Sequence, residues 1–409
     1  MKDIPELLAP AGNLEKLKIA VLYGADAVYI GGELYNLREA ADNFTMEDLK
    51  KGLEFAHNRG VKVYVTVNLI PHNDDFEGLP EYIAKLGNFG VDAVIVADPG
   101  VLSIVQEVAP DMEIHLSTQA NNVNWRSLQF WQKQGVERVI LARELSINEI
   151  KEINKRVDVK TESFIHGAMC ISYSGRCLLS NYMINRDANR GECAQSCRWE
   201  YTLMEAERPG EYYPIVEDDA GTYIFNSKDL CMIEHIPELM TTGVSSFKIE
   251  GRMKSLHYVA TVVNTYRQAL DEWAEDPEGY TYKEEWLEEL KKISHRHYTT
   301  GFYFGKPRSE GQNYETSSYV RNYDFMGIVQ EYLPETEEAV IEVRSKFFEG
   351  DKVEFFGSET DSFIEELEYI KNEEGELISD APHPHQLITV KVEQPVNKYD
   401  LVRRKKRDK

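Results

Sequence analysis

The sequence predicts an α/β protein: a closed (β/α)8 barrel of the TIM type, followed by a small all-β barrel. Three observations predict it. Eight short apolar runs alternate with amphipathic runs of helical period, which is the pattern of parallel strands joined by crossover helices. No G-x-G-x-x-G follows the first strand, so an open dinucleotide-binding sheet is disfavoured. Beyond Asn322 the period changes to two, and turns split the chain into antiparallel strands. A chain of 409 residues buries a large core and divides into two or three domains.

The first strand is Leu7 to Pro10, closed by Ala11-Gly12, and a helix follows from Asn13 to Tyr23 with Asn13 as its N-cap. Further strands are expected at Ala27–Gly31, Val61–Val67, Ala93–Ala97, Glu113–Ser117 and Arg138–Ala142, each followed by a helical stretch. Ser163–His166 and Ser246–Ile249 complete the eight. The runs GADAV at 24–28 and GVDAV at 90–94 echo each other as helix-to-strand turns, as repeated units of one barrel do. Leu256 to Glu275 reads as the closing helix, with Tyr258, Val262, Val263, Tyr266 and Leu270 at helical spacing. The barrel domain is assigned to residues 1–278, with a cysteine-rich insertion at 167–232.

Chemistry in such a barrel sits at the C-terminal ends of the strands. Those ends carry Gly31-Gly32, Asn68, Asp98, Ser117, Gln119, Arg143, Glu144, His166, Lys248, Glu250 and Arg252. Arg143, Lys248 and Arg252 suit an anionic substrate, because guanidinium and ammonium groups bind carboxylates. The competing reading makes them an ion-pair ring with Glu144 and Glu250. His166 is the candidate for proton transfer.

Residues 279–321 are read as a connecting segment. It contains an acidic helical stretch, Lys283 to Ser294, and then HRHYTTGFYFGKP, whose mixed basic and aromatic side chains either stack nucleic-acid bases or pack against the barrel. In the C-terminal domain, 322–409, the strands are DFMGIVQEY, EAVIEVRSKF, GDKVEFFG and HQLITVKVE. The run Arg403 to Arg407 is a local basic patch for RNA or a solvated tail. Net charge is −24, which argues against a broad RNA-binding surface and asks for local positive patches. No apolar run reaches the ~20 residues of a membrane span, and the opening MKDIPELLAPAG lacks an export signal, so the expected compartment is the cytoplasm.

Four of the five cysteines lie between Glu162 and Arg198 in the order C-x6-C-x15-C-x3-C: Cys170, Cys177, Cys193 and Cys197. The fifth is Cys231, in SKDLCMI. A reducing compartment disfavours disulfides, and clustered thiolates among Gly, Ser and Asn suit metal ligation. Zinc prefers two close pairs, whereas an iron–sulfur cube accepts irregular loop spacing. Spacing leaves cluster, zinc and redox or structural thiols open, and Cys231 can replace Cys193 or Cys197 as a ligand.

Glu162, Phe164, Gly167, Ala168, Cys170, Gly175, Cys177 and Ser180 fit E-x-F-x-x-G-A-x-C-x4-G-x-C-x-x-S, which resembles the signature of the collagenase-like peptidase U32 family. ELLAPAG near the N-terminus, SKDL at Ser227–Leu230 and SFKIEGRMKS at Ser246–Ser255 are also as in that family. RDANRGECAQSCRW resembles the branch that installs 5-hydroxyuridine at the tRNA wobble position using prephenate. The resemblance implies a [4Fe-4S] protein that modifies RNA. Its partners are then tRNA, a small dicarboxylate metabolite, and a homo- or hetero-oligomer with a related family member. A peptidase, or a hydroxylase of ribosomal RNA cytidine, is the alternative. The sequence contains no G-x-S-x-G and no H-E-x-x-H to support proteolysis.

Overall fold

A computed structural model describes residues 4–36, 43–170, 228–306 and 319–406; between them it describes only 172–173, 177, 179–184, 186, 194, 196, 216–218 and 221–223. The chain divides into two compact units, Met1–Leu287 with His295–Tyr319, and Glu288–Ser294 with Val320–Lys409.

In the first unit, eight parallel strands close into a barrel. They are β1 (Glu6–Pro10), β2 (Ala27–Gly31), β3 (Lys62–Val67), β4 (Ala93–Val96), β5 (Glu113–Leu116), β6 (Arg138–Ile140), β7 (Lys160–Gly167) and, after an additional strand, β9 (Ser246–Ile249). Closure comes from β9, which pairs in parallel with both β1 and β7. The helices α1 (Leu14–Leu22), α2 (Met46–His57), α3 (Leu79–Phe89), α4 (Pro99–Val108), α5 (Trp125–Lys133) and α6 (Ile147–Asn154) follow the first six strands. Most start on a side-chain cap that satisfies an otherwise orphaned N–H: Asn13 accepts from Lys16, Thr45 from Asp48, Asn124 from Ser127, and Ser146 forms a capping box with Glu149. Buried Leu, Ile and Val dominate the strands, each such side chain contributing about 1.5–3 kcal/mol on removal from water.

The connection between β7 and β9 contains a strand that the sequence did not suggest. β8 (Asp229–Cys231) runs antiparallel to β7, setting Cys231 opposite His166, and β10 (Tyr298–Thr299) pairs with β8 in parallel. After β8 come α7 (Ile236–Met240), β9 and α8 (Leu256–Glu275), the expected closing helix, capped by Ser255. The histidine and aromatic run after α9 (Glu284–Leu290) packs on this unit: His295, Arg296 and Tyr303 are buried, and the Tyr303 hydroxyl donates to the Phe164 carbonyl at 2.6 Å. Phe304 is exposed, its ring 4.6 Å from that of His235.

The second unit is an antiparallel half-barrel. Its strands are β11 (Tyr323–Leu333), β12 (Glu338–Val343), β13 (Lys352–Phe356), β14 (Phe363–Glu366), β15 (Ile370–Lys371), β16 (Leu377–Ile378), β17 (Leu387–Lys391) and β18 (Leu401–Lys405), in the order β14-β13-β18-β11-β12-β17-β15-β16. Alternate residues such as Ala339, Ile341 and Val343 turn inward to its core. The basic run at its end corrects the expectation of a patch or a solvated tail. Arg403 lies in an interior strand, fully buried, paired with Glu289 and Glu354; Arg404 pairs with Asp351 and Lys406 with Asp324. Arg407 lies outside the described residues. Among the described residues, no helix is long and apolar enough to cross a membrane.

Candidate active site at the barrel mouth

A chain of buried charges lines the barrel interior. Arg138 on β6 donates to Glu6 on β1 at 2.6 Å and to Glu162 on β7 at 3.1 Å; β1 and β6 are not neighbours in the ring, so the first bond spans the interior. Lys248 on β9 donates to the other Glu162 oxygen at 2.9 Å. Tyr64 adds a bond to Glu6 at 2.7 Å, and its ring meets that of His115 edge-on. Burial acts to raise the Glu162 pKa, but Lys248 and Arg138 outweigh it and hold the carboxyl down at about 2. Glu162 is therefore an anion, neutralised from two sides.

This arrangement sorts the expected cations. Lys248 is committed to Glu162, with the face of Tyr29 4.4 Å away. Arg143 stacks on the Phe164 ring at 3.9 Å and reaches Glu250 at 3.4 Å, which is the ion-pair reading for that pair. Arg252 is buried and donates to two neutral groups, the Thr66 hydroxyl at 2.8 Å and the Asn36 amide oxygen. It is brought across the mouth by Gly31: a Cβ there would lie 2.2 Å from one Arg252 Nη. Asp98, read as a strand-end polar group, caps α4 by accepting from Gly100 at 2.7 Å, and Ser117 caps a short turn by accepting from Gln119.

His166 is enclosed by tyrosines. Its Nδ1 is 3.5 Å from the Tyr266 hydroxyl, and its ring meets those of Tyr258, Tyr266 and Tyr298 at 5.4–5.9 Å. Burial, the largest cause, drives its pKa down to about 3, so the imidazole is neutral at physiological pH rather than poised to titrate there. The same Tyr266 hydroxyl donates to the Ile165 carbonyl, accepts from Met232 N–H, and lies 3.8 Å from Cys231 Sγ.

Of the cysteines, Cys170 is an exposed thiol three residues beyond β7. Cys177 is half-buried, and its Sγ accepts the Leu179 N–H at 3.4 Å, a contact that suits a thiolate ligand. Burial pushes the Cys231 thiol up to about 12. Cys193 and Cys197 lie outside the described residues. Among the described residues no three His, Cys, Asp or Glu side chains gather as a metal site; Cys170 and Cys177 share the segment that leaves the end of β7, and Cys231, on the adjoining β8, stands opposite His166 of β7 in the strand register.

Sequence reasoning missed Lys254. It lies in the turn after β9, half-buried, with its Nζ 4.4 Å from the centre of the Tyr319 ring and 5.2 Å from that of Tyr258. Its only signal was its place in SFKIEGRMKS, beyond the strand-end positions that were considered.

Residues 12–313 match the profile of Peptidase family U32, and residues 321–403 match that of the Peptidase family U32 C-terminal domain. The chain is 48% identical over 402 residues to "tRNA hydroxylation protein P1" of Bacillus subtilis (strain 168), covering 98% of this chain and 95% of that one. It is also 34% identical over 385 residues to "Collagenase" of Porphyromonas gingivalis (strain ATCC BAA-308 / W83), covering 90% of each. Among solved structures, it is similar to the C-terminal domain of a putative U32 peptidase from Geobacillus thermoleovorans, at 40% identity over 20% of this chain and 99% of that one, with a TM-score of 0.20.

Proposed function

The chain belongs to peptidase family U32, and from that membership we propose that it is an RNA-modifying enzyme that hydroxylates tRNA. In this reading the wobble uridine becomes 5-hydroxyuridine, prephenate supplies the hydroxyl, and a [4Fe-4S] cluster is the cofactor. The observation that carries it is the likeness, over nearly the whole of both chains, to a tRNA hydroxylation protein. The ligands are Cys170 and Cys177 with two of Cys193, Cys197 and Cys231, and sequence order favours Cys193 and Cys197. Replacing C5–H by C5–OH removes two electrons from the base, so an electron acceptor distinct from the hydroxyl donor must take them up; a bound cluster would supply a centre able to pass them on one at a time.

The chain's own residues have separate tasks. Arg252, which donates to Thr66 and Asn36 at the mouth, is assigned to a donor carboxylate, for which a guanidinium is the fitting partner. Arg143 is paired with Glu250, and the pair orients the donor or lends it a proton relay. His166 is a neutral imidazole whose protonated form burial disfavours, so its task is to hold a hydrogen bond beside the tyrosines rather than to carry a proton.

The 34% likeness to a collagenase favours a second reading, a peptidase. Nucleoside mass spectrometry of tRNA from a deletion strain separates the two. Loss of 5-hydroxyuridine, restored by the wild-type gene, is expected. Unchanged 5-hydroxyuridine together with collagen cleavage by the purified protein reverses the assignment, and ribosomal RNA from the same strain tests for hydroxycytidine.

A further inference from the structure

We infer that Lys254 is an anion-binding residue of the barrel mouth, its ammonium group held ready for an oxyanion that the described residues do not supply. Three neighbouring cations each answer a carboxylate of the chain. Lys248 answers Glu162, Arg143 answers Glu250, and Arg296 answers Asp229 at 3.8 Å. Lys254 differs from all three. Among the described residues, no carboxylate lies within 4 Å of its Nζ, and its ammonium group makes no hydrogen bond.

What holds Lys254 is aromatic. Tyr258 is fixed by its hydroxyl bond to the Glu250 carbonyl at 2.8 Å. Tyr319 is fixed by Arg296, whose guanidinium lies 4.8 Å from the ring centre and donates to the Tyr319 hydroxyl at 2.9 Å. Two anchored ring faces offset part of the cost of half-burying a cation. They restrict the side chain without consuming the three strong N–H donors of the ammonium group. The result is a preorganised charge with open hydrogen-bonding capacity, in a chain whose net charge is −24.

Its place fits a substrate anion. Lys254 follows β9 by five residues, at the end of the barrel where the strands deliver chemistry, and the Tyr258 ring beneath it also meets His166. The ligand chemistry is an oxyanion, which reaches this mouth either as a carboxylate of a small acid or as an RNA phosphate. This inference rests on the proposed tRNA hydroxylation for the identity of those two sources, although the anion chemistry does not.

The test uses the full-length protein with its cluster reconstituted anaerobically, in wild-type form and as Lys254→Ala and Lys254→Arg. Prephenate binding is followed by calorimetry, and bulk tRNA binding by anisotropy from about 50 to 200 mM salt. If the anion is the acid, Lys254→Ala weakens prephenate binding about tenfold or more and leaves tRNA binding alone. If it is a phosphate, the slope of log affinity against log salt falls by about one, and prephenate binding is unchanged. In either case Lys254→Arg recovers most of the loss, which a purely structural lysine does not require. Wild-type protein supplies a check that needs no variant: reductive methylation of Lys254, read by peptide mass spectrometry, is slowed by saturating prephenate or tRNA. Unchanged affinities in a folded Lys254→Ala protein overturn the inference, and so does equal methylation with and without both anions. Absence of 5-hydroxyuridine from wild-type reactions defeats the proposed function instead, and the methylation result still reports on Lys254.

Discussion

Lys248 Nζ stands 2.9 Å from a carboxylate oxygen of Glu162, across the seam where β9 meets β7, and both residues are buried. The pair makes Lys248 a structural residue before it is a substrate-binding one. Removing one partner of a buried ion pair leaves an uncompensated charge, so Lys248→Met is expected to cost about 3–5 kcal/mol in urea unfolding. It should act on stability more than on the donor requirement. A folded, equally stable Lys248→Met protein with a raised prephenate requirement would return Lys248 to the donor site.

The same pair sets a pH dependence. The Glu162 pKa is about 2 in the folded chain against an ordinary 4.5, so its folded value is depressed. The native state therefore binds this proton less readily than the unfolded chain. The stabilisation is complete above the ordinary value and is lost as pH falls through it towards 2. Denaturation of wild type and Glu162→Gln between pH 7 and pH 3 should show a stability gap that narrows as the solution becomes acidic. A gap independent of pH would mean that Glu162 is not ionised in the native barrel.

Gly31 and Arg252 are coupled sterically. With a Cβ at Gly31 lying 2.2 Å from one Arg252 Nη and 2.8 Å from Cζ, Gly31→Ala must displace the guanidinium or bend β2. If Arg252 binds the donor, Gly31→Ala reproduces Arg252→Ala: a rise of about 10–100-fold in the prephenate requirement, the worth of a lost charge-assisted bond, with the tRNA requirement little changed. Steady-state kinetics on both variants checks it. A normal prephenate dependence in folded Arg252→Ala would move the donor pocket elsewhere.

The barrel was legible because each strand is a short apolar run between turn residues; β2 and β9 have the bounds read from sequence. β8 was not legible: it has three residues, and its antiparallel pairing with β7 depends on a long connection folding back. At the site, topology identified which residues stand at the strand ends, but not which are already satisfied. Glu162 and Lys248 are 86 positions apart, and nothing local to either announces the other. Asp98 was open to better reading, since Asp followed by Pro is a helix-start signal, and here Pro99 opens α4. Arg403 shows the opposite failure, a charge run that reads as solvated while its middle strand needs two carboxylates brought from elsewhere.

For the cysteines, alanine at Cys170 or Cys177 should remove the broad absorption near 400 nm that a [4Fe-4S] cluster gives, together with its iron, in protein purified anaerobically. Among Cys193, Cys197 and Cys231, two single variants should lose iron and one should keep it, which names the remaining ligands. Stoichiometric iron in the Cys170→Ala/Cys177→Ala protein would rule out a cluster at this site.

Arg403 provides a test of how the second unit deals with RNA. Its guanidinium is buried in β18 between Glu354, at 2.7 and 3.0 Å, and Glu289. Desolvation works against that charge, yet the two carboxylates outweigh it and raise the Arg403 pKa above its ordinary value, so the ion is structural and unavailable to phosphate. Arg403→Leu leaves Glu354 and Glu289 without their shared partner and should destabilise the C-terminal unit by about 3–5 kcal/mol. Lys405, exposed at the end of the same strand, is available to solvent, and Lys405→Ala should cost little stability. If this unit helps to hold tRNA, the effect belongs to such exposed cations: Lys405→Ala then lowers the salt slope of tRNA binding by up to about one. Arg403→Leu, measured below its unfolding temperature, leaves that slope unchanged. A lowered slope in folded Arg403→Leu protein would show that the buried arginine reaches RNA, and the ion-pair account of this strand would fail.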